Sequence, residues 1–402
     1  MPLASAAYTV LLLLCGCILP ARAWAQYDVE EESRVWLRSV LDVRVVRGSA
    51  APSWTDLGPG KTRYGGDFTD SGFERVTRGV MSQLVIELGA ALPAGIRAQV
   101  QLNVQPDIAD DWDPWVTEAL LRKEWGAENG FGLQAGVMGV PFSLEHVGPA
   151  WAPEYTISAS ALNNWLWEEI SLAGIEGEWW HVTEGGLKLG AIVGAGVGPD
   201  QLGRVLALRG WVLGDGLTGL NGDLPLPSGE RTEIFDERDD RLAGYTWLTI
   251  GDAGERASLR VGYFDNGGDQ DTAGVWNTHF GTVGAVLHPH SRLDLIVQYL
   301  DGEARIGDRT NDSSIRAFYA LLSHHRGGHR FSVRYDEFRV DDLDQGNSTA
   351  ERGDAITAAY FLAWGLRHRV GLEYVWLDSH RPSRTPPDPP QDGWQVSYRF
   401  RY

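Results

Sequence analysis

From Ser33 to the C-terminus, apolar and polar residues alternate with a period of two in runs of 10–13 residues. Such spacing gives a strand with one greasy and one wet face. The runs predict strands at 34–46, 80–91, 95–105, 115–125, 131–141, 169–180, 186–197, 241–251, 256–265, 275–287, 292–301, 313–325, 328–339, 354–364, 367–378 and 392–402. Globular strands average about five or six residues, whereas a tilted strand needs about 9–11 to cross the hydrocarbon of a bilayer. The fold expected is all-β: a transmembrane antiparallel β-barrel of about 16 strands.

The connections alternate in length. Tight turns are expected at Leu92–Gly95, Ala127–Gly130, Glu184–Gly186, Asp252–Glu255, His288–Ser291, Arg326–Gly328 and Trp364–Leu366. Longer polar connections fall between them, at 47–79, 106–114, 142–168, 198–240, 266–274, 302–312, 340–353 and 379–391. Short turns on one side and long loops on the other are the asymmetry of bacterial barrels, with both termini on the short-turn, periplasmic side. Two long loops hold apolar segments. Ser158–Trp167 reads as a short helix. Leu202–Leu213 could be a seventeenth strand, but that would put every later long loop on the periplasmic side, so a short helix capped by Asp200 is expected instead. Both loops should fold inward and narrow the pore. The run Pro382–Pro390 reads as an exposed loop, with no domain boundary.

Alternation also sides each strand. Val35, Leu37, Leu41, Val43 and Val45 oppose Arg34, Arg38, Asp42 and Arg44; Ile96, Ala98, Val100 and Leu102 oppose Arg97, Gln99, Gln101 and Asn103. Arginine at the bilayer midplane costs about 2–4 kcal/mol, so the arginine face should be the lumen. The pore-lining candidates are Arg34, Arg38, Arg44, Arg97, Arg122, Arg260, Arg334, Arg367, Arg369 and Arg399. A polar wall of this kind argues for a water-filled channel over a plugged, dry barrel, and sixteen strands leave room for water. Fixed positive charge would favour anions. The bland alternative is that these arginines pair with Glu87, Glu118, Glu124 and Glu373 to stiffen the wall.

Composition narrows the field. Both cysteines, Cys15 and Cys17, lie in an N-terminal segment with an apolar run, Val10 to Leu19, and a small-residue site at Ala23-Trp24-Ala25. That segment reads as a signal peptide, 1–25, cleaved before Gln26; lipidation at Cys17 is the rival reading. Residues 26–402 then form one outer-membrane domain without cysteine, which excludes disulfide and thiol chemistry. Forty-nine glycines, 17 tryptophans and 13 tyrosines suit tight turns and interfacial aromatic girdles. A net charge of −19, with acids gathered at Asp107–Asp113, Asp236–Asp240, Asp265–Asp271 and Asp341–Asp344, argues against nucleic acid as a partner. None of these clusters has EF-hand spacing.

No hydrolase, metalloprotease or nucleotide-binding motif occurs after the signal, and no cofactor is expected. His288/His290 and His324/His325 read as interfacial residues, because neighbours on a strand point to opposite faces. Ser143, Glu145 and His146 are close enough in sequence to raise an outer-membrane hydrolase, but they sit at a loop entry beside Pro141. Gly139-Val-Pro-Phe-Ser-Leu-Glu145, Ser158-Ala-Ser-Ala-Leu-Asn-Asn164, Asp240-Arg-Leu-Ala-Gly244, Arg260-Val-Gly-Tyr-Phe264 and the terminal Tyr398-Arg-Phe-Arg-Tyr402 carry a family resemblance. In them the chain resembles the trimeric, sixteen-stranded porins of Gram-negative bacteria and is similar to the phosphate-selective porin O and P family. The resemblance implies a passive outer-membrane channel for small hydrophilic solutes or anions, in a homotrimer surrounded by outer-membrane lipid, with no catalytic step. That family guides phosphate with arginine ladders and lysine clusters; this chain has the arginines but only Lys61, Lys123 and Lys188. The alternatives are an outer-membrane hydrolase and a plugged structural or adhesin barrel.

Overall fold

The computed structural model describes residues 34–108, 112–306, 312–343, 350–384 and 388–402; the signal segment lies outside them. Sixteen antiparallel strands close into one barrel. They are β1 Val35–Arg47, β2 Arg78–Leu92, β3 Ile96–Val104, β4 Trp115–Gly126, β5 Gly130–Met138, β6 Leu172–Val182, β7 Leu187–Val197 and β8 Ala243–Asp252. The other half comprises β9 Ala257–Asp265, β10 Trp276–His290, β11 Leu293–Ile306, β12 Ser313–Arg326, β13 His329–Asp342, β14 Glu351–Trp364, β15 His368–His380 and β16 Gln391–Arg401. Each strand pairs with its sequence neighbours, and β1 closes on β16 with Leu41 opposite Phe400 and Val43 opposite Tyr398. Two small hairpins, Asp67–Thr69 with Gly72–Glu74 and Asp223–Pro225 with Arg231–Glu233, decorate the long loops. No described helix is long and apolar enough to cross a membrane; in the closed ring each of the sixteen strands has a neighbour on both sides, which leaves no open edge.

The outward face is apolar as alternation predicts. Val35, Ile175, Val193 and Phe331 are exposed on it, at 66%, 60%, 61% and 59%. The inward face divides in two. On β1 to β6 it is polar, with Arg38, Asp42, Arg44, Glu87, Gln101, Asn103, Glu118 and Glu176. On β8 to β15 much of it is apolar. Tyr245, Trp247, Phe264, Phe280, Ile296, Leu300, Ile315, Leu321, Phe338, Val375 and Leu377 are buried there in one cluster with the residues of two loops. The expectation of a polar wall all round is therefore corrected. Half of the lumen is a hydrophobic core, and burying it stabilises the loops that fill it.

Those loops fold inward, as expected. Helix α1, Ala161–Glu169, is buried along its whole length. It begins three residues later than predicted because Ser160 is its cap, accepting from Asn163 N. Helix α2, Arg204–Arg209, lies in the 198–240 loop, so Leu202–Leu213 is not a seventeenth strand. Its cap is Gly203 (φ 94°), not Asp200, whose carboxylate instead accepts from Arg238 N at 2.5 Å.

Trp165 packs edge-on against Trp211 and Phe280, with ring centroids 5.7 and 5.3 Å away. Phe142 does the same against Tyr245 and Phe280. Gly194 has to be glycine for this packing, since a Cβ there would stand 2.2 Å from the Tyr245 ring.

Candidate functional site

Three layers of charge fix the loops to the wall. The first holds residues 142–168. Arg334, on the inner face of β13 and fully buried, reaches Asp336 at 2.8 Å, Glu145 at 2.9 Å, Thr156 Oγ1 at 2.9 Å and the carbonyls of Ser158 and Ala159 at 2.7 and 2.9 Å. Glu145 accepts from Ser160 N and Asn163 Nδ2, and Asp336 from Ala161 N, so both carboxylates also lie at the start of α1. An acidic group is favourable there because it meets unpaired N–H donors. Glu373 on β15 accepts from Ile157 N and Ser158 Oγ.

The second layer ties 198–240 to 161–169. Arg209 bonds both oxygens of Glu168, at 3.0 and 2.6 Å, and Lys61 pairs with Glu351 at 2.7 Å. Burial pushes the Lys61 ammonium down to about 8, against the pull of Glu351. The third layer crosses the polar side of the lumen. Asp215 is gripped by Arg44 at 2.5 Å and Arg63 at 2.7 Å; Arg44 also meets Asp42 at 3.1 Å, and Arg399 meets Asp42 at 2.7 Å. Burial raises the Asp215 carboxyl, but the two guanidiniums outweigh it and hold the group well below the usual carboxylate range. Beside this layer a slot of about 30 Å³ opens between Arg63, Tyr64, Asp215, Ser158 and Gln395, room for roughly one water.

Below the third layer the polar side stays wet. Arg38 and Glu87 pair at 2.9 Å, and Arg122 bridges Glu124 and Glu178 at 2.8 Å each. The Arg38, Arg122, Glu124 and Glu178 side chains keep 38%, 37%, 40% and 32% exposure although all face inward. Arg97 is exposed beside them, opposite Arg122 in register. Together they line a vestibule against β1 to β6 that opens at the short-turn end.

The ten candidate arginines therefore separate. Arg38, Arg97 and Arg122 line the vestibule. Arg260, half-buried on β9, has no carboxylate partner among the described residues. Arg44, Arg334, Arg369 and Arg399 are buried in ion pairs, Arg369 with Glu154 at 3.3 Å. They hold loops and present no charge to an open bore. Arg34 and Arg367 are exposed at the short-turn rim, Arg367 over the Tyr402 ring.

The wall-stiffening pairs follow the alternative reading at Glu87 and Glu124 only. Glu118 accepts from Gln99, and Glu373 serves the loop. Residues the sequence reading missed are Arg63, Asp215, Glu168 and Arg209. The signal for the last three was charge inside otherwise apolar loop segments, as in Val205-Leu-Ala-Leu-Arg209; Arg63, in the polar run Gly60-Lys-Thr-Arg-Tyr64, carried none.

Ser143 and His146 do meet, Oγ to Nδ1 at 2.8 Å. However, Ser143 Oγ accepts from the backbone N–H of Glu145 and His146, and Glu145 is turned away toward Arg334. His146 is 1% exposed, and burial pushes its ring down to about 4. This trio closes a turn.

His324 faces outward and His325 inward. His325 and His288 both lie against Asp294, at 3.6 and 2.8 Å. Asp200, Glu237 and Asp239 bring carboxylate oxygens within 4.8 Å of one another, close enough to share a cation. Backbone N–H groups already hold all three: Arg238 N on Asp200, Gly198 N on Glu237, and Arg241 N and Asp269 N on Asp239. Burial and the neighbouring acids push Asp200 up to about 6.

No family model and no curated protein matches the chain. Solved structures do match in fold. The outer-membrane channel DcaP of Acinetobacter baumannii aligns with TM-score 0.58 at 10% identity, over 94% of this chain and 100% of that one. The anion-selective porin from Comamonas acidovorans aligns with TM-score 0.55 at 13% identity, over 92% and 99%. OmpT of Vibrio cholerae, in a trimer form, aligns with TM-score 0.51 at 8% identity, over 92% and 100%. At these identities the likeness is one of fold: a porin-like, sixteen-stranded barrel.

Proposed function

We propose that this chain is a porin-type channel of a Gram-negative outer membrane, passing small hydrophilic solutes without a catalytic step. The observation that carries the reading is the wet vestibule of Arg38, Arg97, Arg122, Glu87, Glu124 and Glu178, which runs up to the Asp42–Arg44–Asp215–Arg63 layer inside a barrel with a greasy exterior. That layer is the constriction, and transport requires its ion pairs to part or its slot to widen.

The charge preference proposed is modest and toward anions. Arg38 is matched by Glu87 and Arg122 by both Glu124 and Glu178, one acid more than base, so a small positive balance rests on the two arginines that are left. Arg97 and Arg260 lack carboxylate partners among the described residues, while Glu118 and Glu176 are 3% and 5% exposed and hydrogen-bonded to Gln99 and Tyr245. The likeness in fold to the anion-selective porin from Comamonas acidovorans points the same way. Phosphate as the specific solute has little support. Lys61 is buried on Glu351, Lys123 lies over Trp125 on the outer wall, and Lys188 pairs with Glu255 at the short-turn end. A homotrimer is proposed with the function, on the likeness to a porin solved as a trimer.

A second reading has its own observation. Half of the lumen is a packed apolar core, which suits a plugged structural barrel. Planar-bilayer recording separates the two: the channel reading requires unitary conductance steps from the intact protein. A silent intact protein that conducts only after excision of 142–168 or 198–240 would establish the plug instead.

A further inference from the structure

The seven short turns are not alike. Those after β10, β12 and β14 read His288-Pro-His-Ser-Arg292, Arg326-Gly-Gly-His329 and Trp364-Gly-Leu-Arg-His368, with no acid among them. Acids sit on the turns of the opposite side, at Glu128, Glu184, Asp252 and Glu255. One half of the periplasmic rim is thus basic, although the chain as a whole carries −19.

On this half, a pocket of about 520 Å³ opens around the turn after β12, lined by His324, Arg326, Gly327, His329, Arg330 and Phe331. His324, Arg326, His329 and Phe331 are exposed on the outer wall, so the pocket looks toward lipid. Arg330 points inward and is committed to Asp294 at 2.9 Å. Arg326 has no carboxylate partner among the described residues. His329 is positioned by Tyr360, Nδ1 to Oη at 2.7 Å, and Tyr360 packs on Phe331 with centroids 5.5 Å apart. Leu322 and Val333, 50% and 48% exposed, continue the apolar wall upward from there.

The pocket therefore combines an unpaired guanidinium, two imidazoles and a greasy track, at the depth where the headgroups of the inner leaflet lie. We propose that it binds the phosphodiester of an anionic glycerophospholipid. Arg326 takes the phosphate oxygens, His324 and His329 flank them, and an acyl chain runs along Phe331 and Leu322. A guanidinium beside aromatic rings at a membrane interface fits this chemistry. The anionic class is specified because no outward acid is present on these turns to receive the ammonium of a zwitterionic headgroup. The site lies outside the lumen, so it stands or falls independently of conductance.

The test is native mass spectrometry of the intact, detergent-extracted protein titrated with phosphatidylglycerol or phosphatidylethanolamine of the same acyl chains. A parallel arm offers sn-glycerol 3-phosphate and inorganic phosphate. The expected result is one phosphatidylglycerol retained about tenfold more tightly than phosphatidylethanolamine, with no comparable binding of the soluble phosphates. Retention should fall about tenfold in Arg326→Ala/His329→Ala and be largely kept in Arg326→Lys. Arg256→Ala, on an acidic turn across the rim, should match the parent. The heat-induced mobility shift of a folded barrel on gels checks that each variant has closed. Equal retention of the two lipids overturns the assignment, as does full retention by the folded double variant. Tight binding of inorganic phosphate alone overturns the lipid as occupant and leaves a free-anion site.

Discussion

Arg334→Met removes the group that holds the 142–168 loop on the wall of β13. Methionine fills most of the volume of the arginine stem, so the change removes charge and hydrogen bonds more than packing. What remains is two buried carboxylates, Glu145 and Asp336, at 0% and 1% side-chain exposure, that have lost their shared cation. Thr156 Oγ1 and the carbonyls of Ser158 and Ala159 lose their donor as well. Breaking one side of a buried pair costs about 3–5 kcal/mol. The barrel does not bear that cost, because its ladder is continuous and every strand keeps both neighbours. It falls on the docked loop, whose closed-to-open ratio should drop by roughly two to three and a half powers of ten.

Single-channel recording and limited proteolysis from the long-loop side read this out together. The variant should show larger or more frequent openings and cleavage within 142–168, while still folding into a heat-modifiable barrel. Adding Glu145→Gln should recover part of the loss, since one fewer carboxylate is left stranded. If Arg334→Met has the conductance and protease resistance of the parent, the ion-pair layer does not hold the loop and the gating argument fails.

Protonation of His146 should loosen the same loop. Burial depresses His146 to about 4, below the roughly 6.5 of the free ring. The undocked loop therefore takes up the proton first, and docking weakens as pH falls from about 6.5 toward 4, by about 3 kcal/mol in total. Conductance should rise across that window, and His146→Gln should remove the rise; a rise unchanged in the variant would place the titrating group elsewhere. Trp165→Ala removes a 2%-exposed ring from between Trp211 and Phe280. A loss of about 3–5 kcal/mol of local stability is expected, seen as faster amide exchange over α1 with the strands unchanged. Arg97→Glu should move the reversal potential in a salt gradient toward cations by a factor of several in permeability ratio, since a unit charge at about 4 Å in water is worth about 1 kcal/mol. The shift should shrink as ionic strength rises, and its absence at low salt would remove Arg97 from the permeation path.

How much of this was legible in the sequence depends on which face of a strand a residue occupies and what it meets there. The strands, their order and the outward face follow from a period of two alone. The outward face is exposed in the same way on every strand, so Val35, Val193 and Phe331 need no partner to be assigned. The inward face has no such uniform solvent. Ile296, Leu300 and Leu321 point inward as surely as Arg38 does, and in Leu293-Asp-Leu-Ile-Val-Gln-Tyr-Leu300 the outward face is wholly apolar while the inward face sets Ile296 and Leu300 beside Asp294 and Gln298. Apolar residues on the inward face signal packing inside the lumen, and taking the arginines as the face of the whole wall hid it.

The role of each arginine was beyond reach for a related reason. Arg38 and Arg334 look alike in sequence, each with an acid close by on its own or the next strand. What separates them is a loop almost 200 residues away from Arg334 in the chain, which brings Glu145 and the start of α1 down onto β13. Charge in a lumen selects solutes only where water reaches it. Here the loops decide where that is, and they leave a wet strip along β1 to β6 and a half-exposed Arg260 on β9, with a dry apolar core and buried ion pairs over most of the rest.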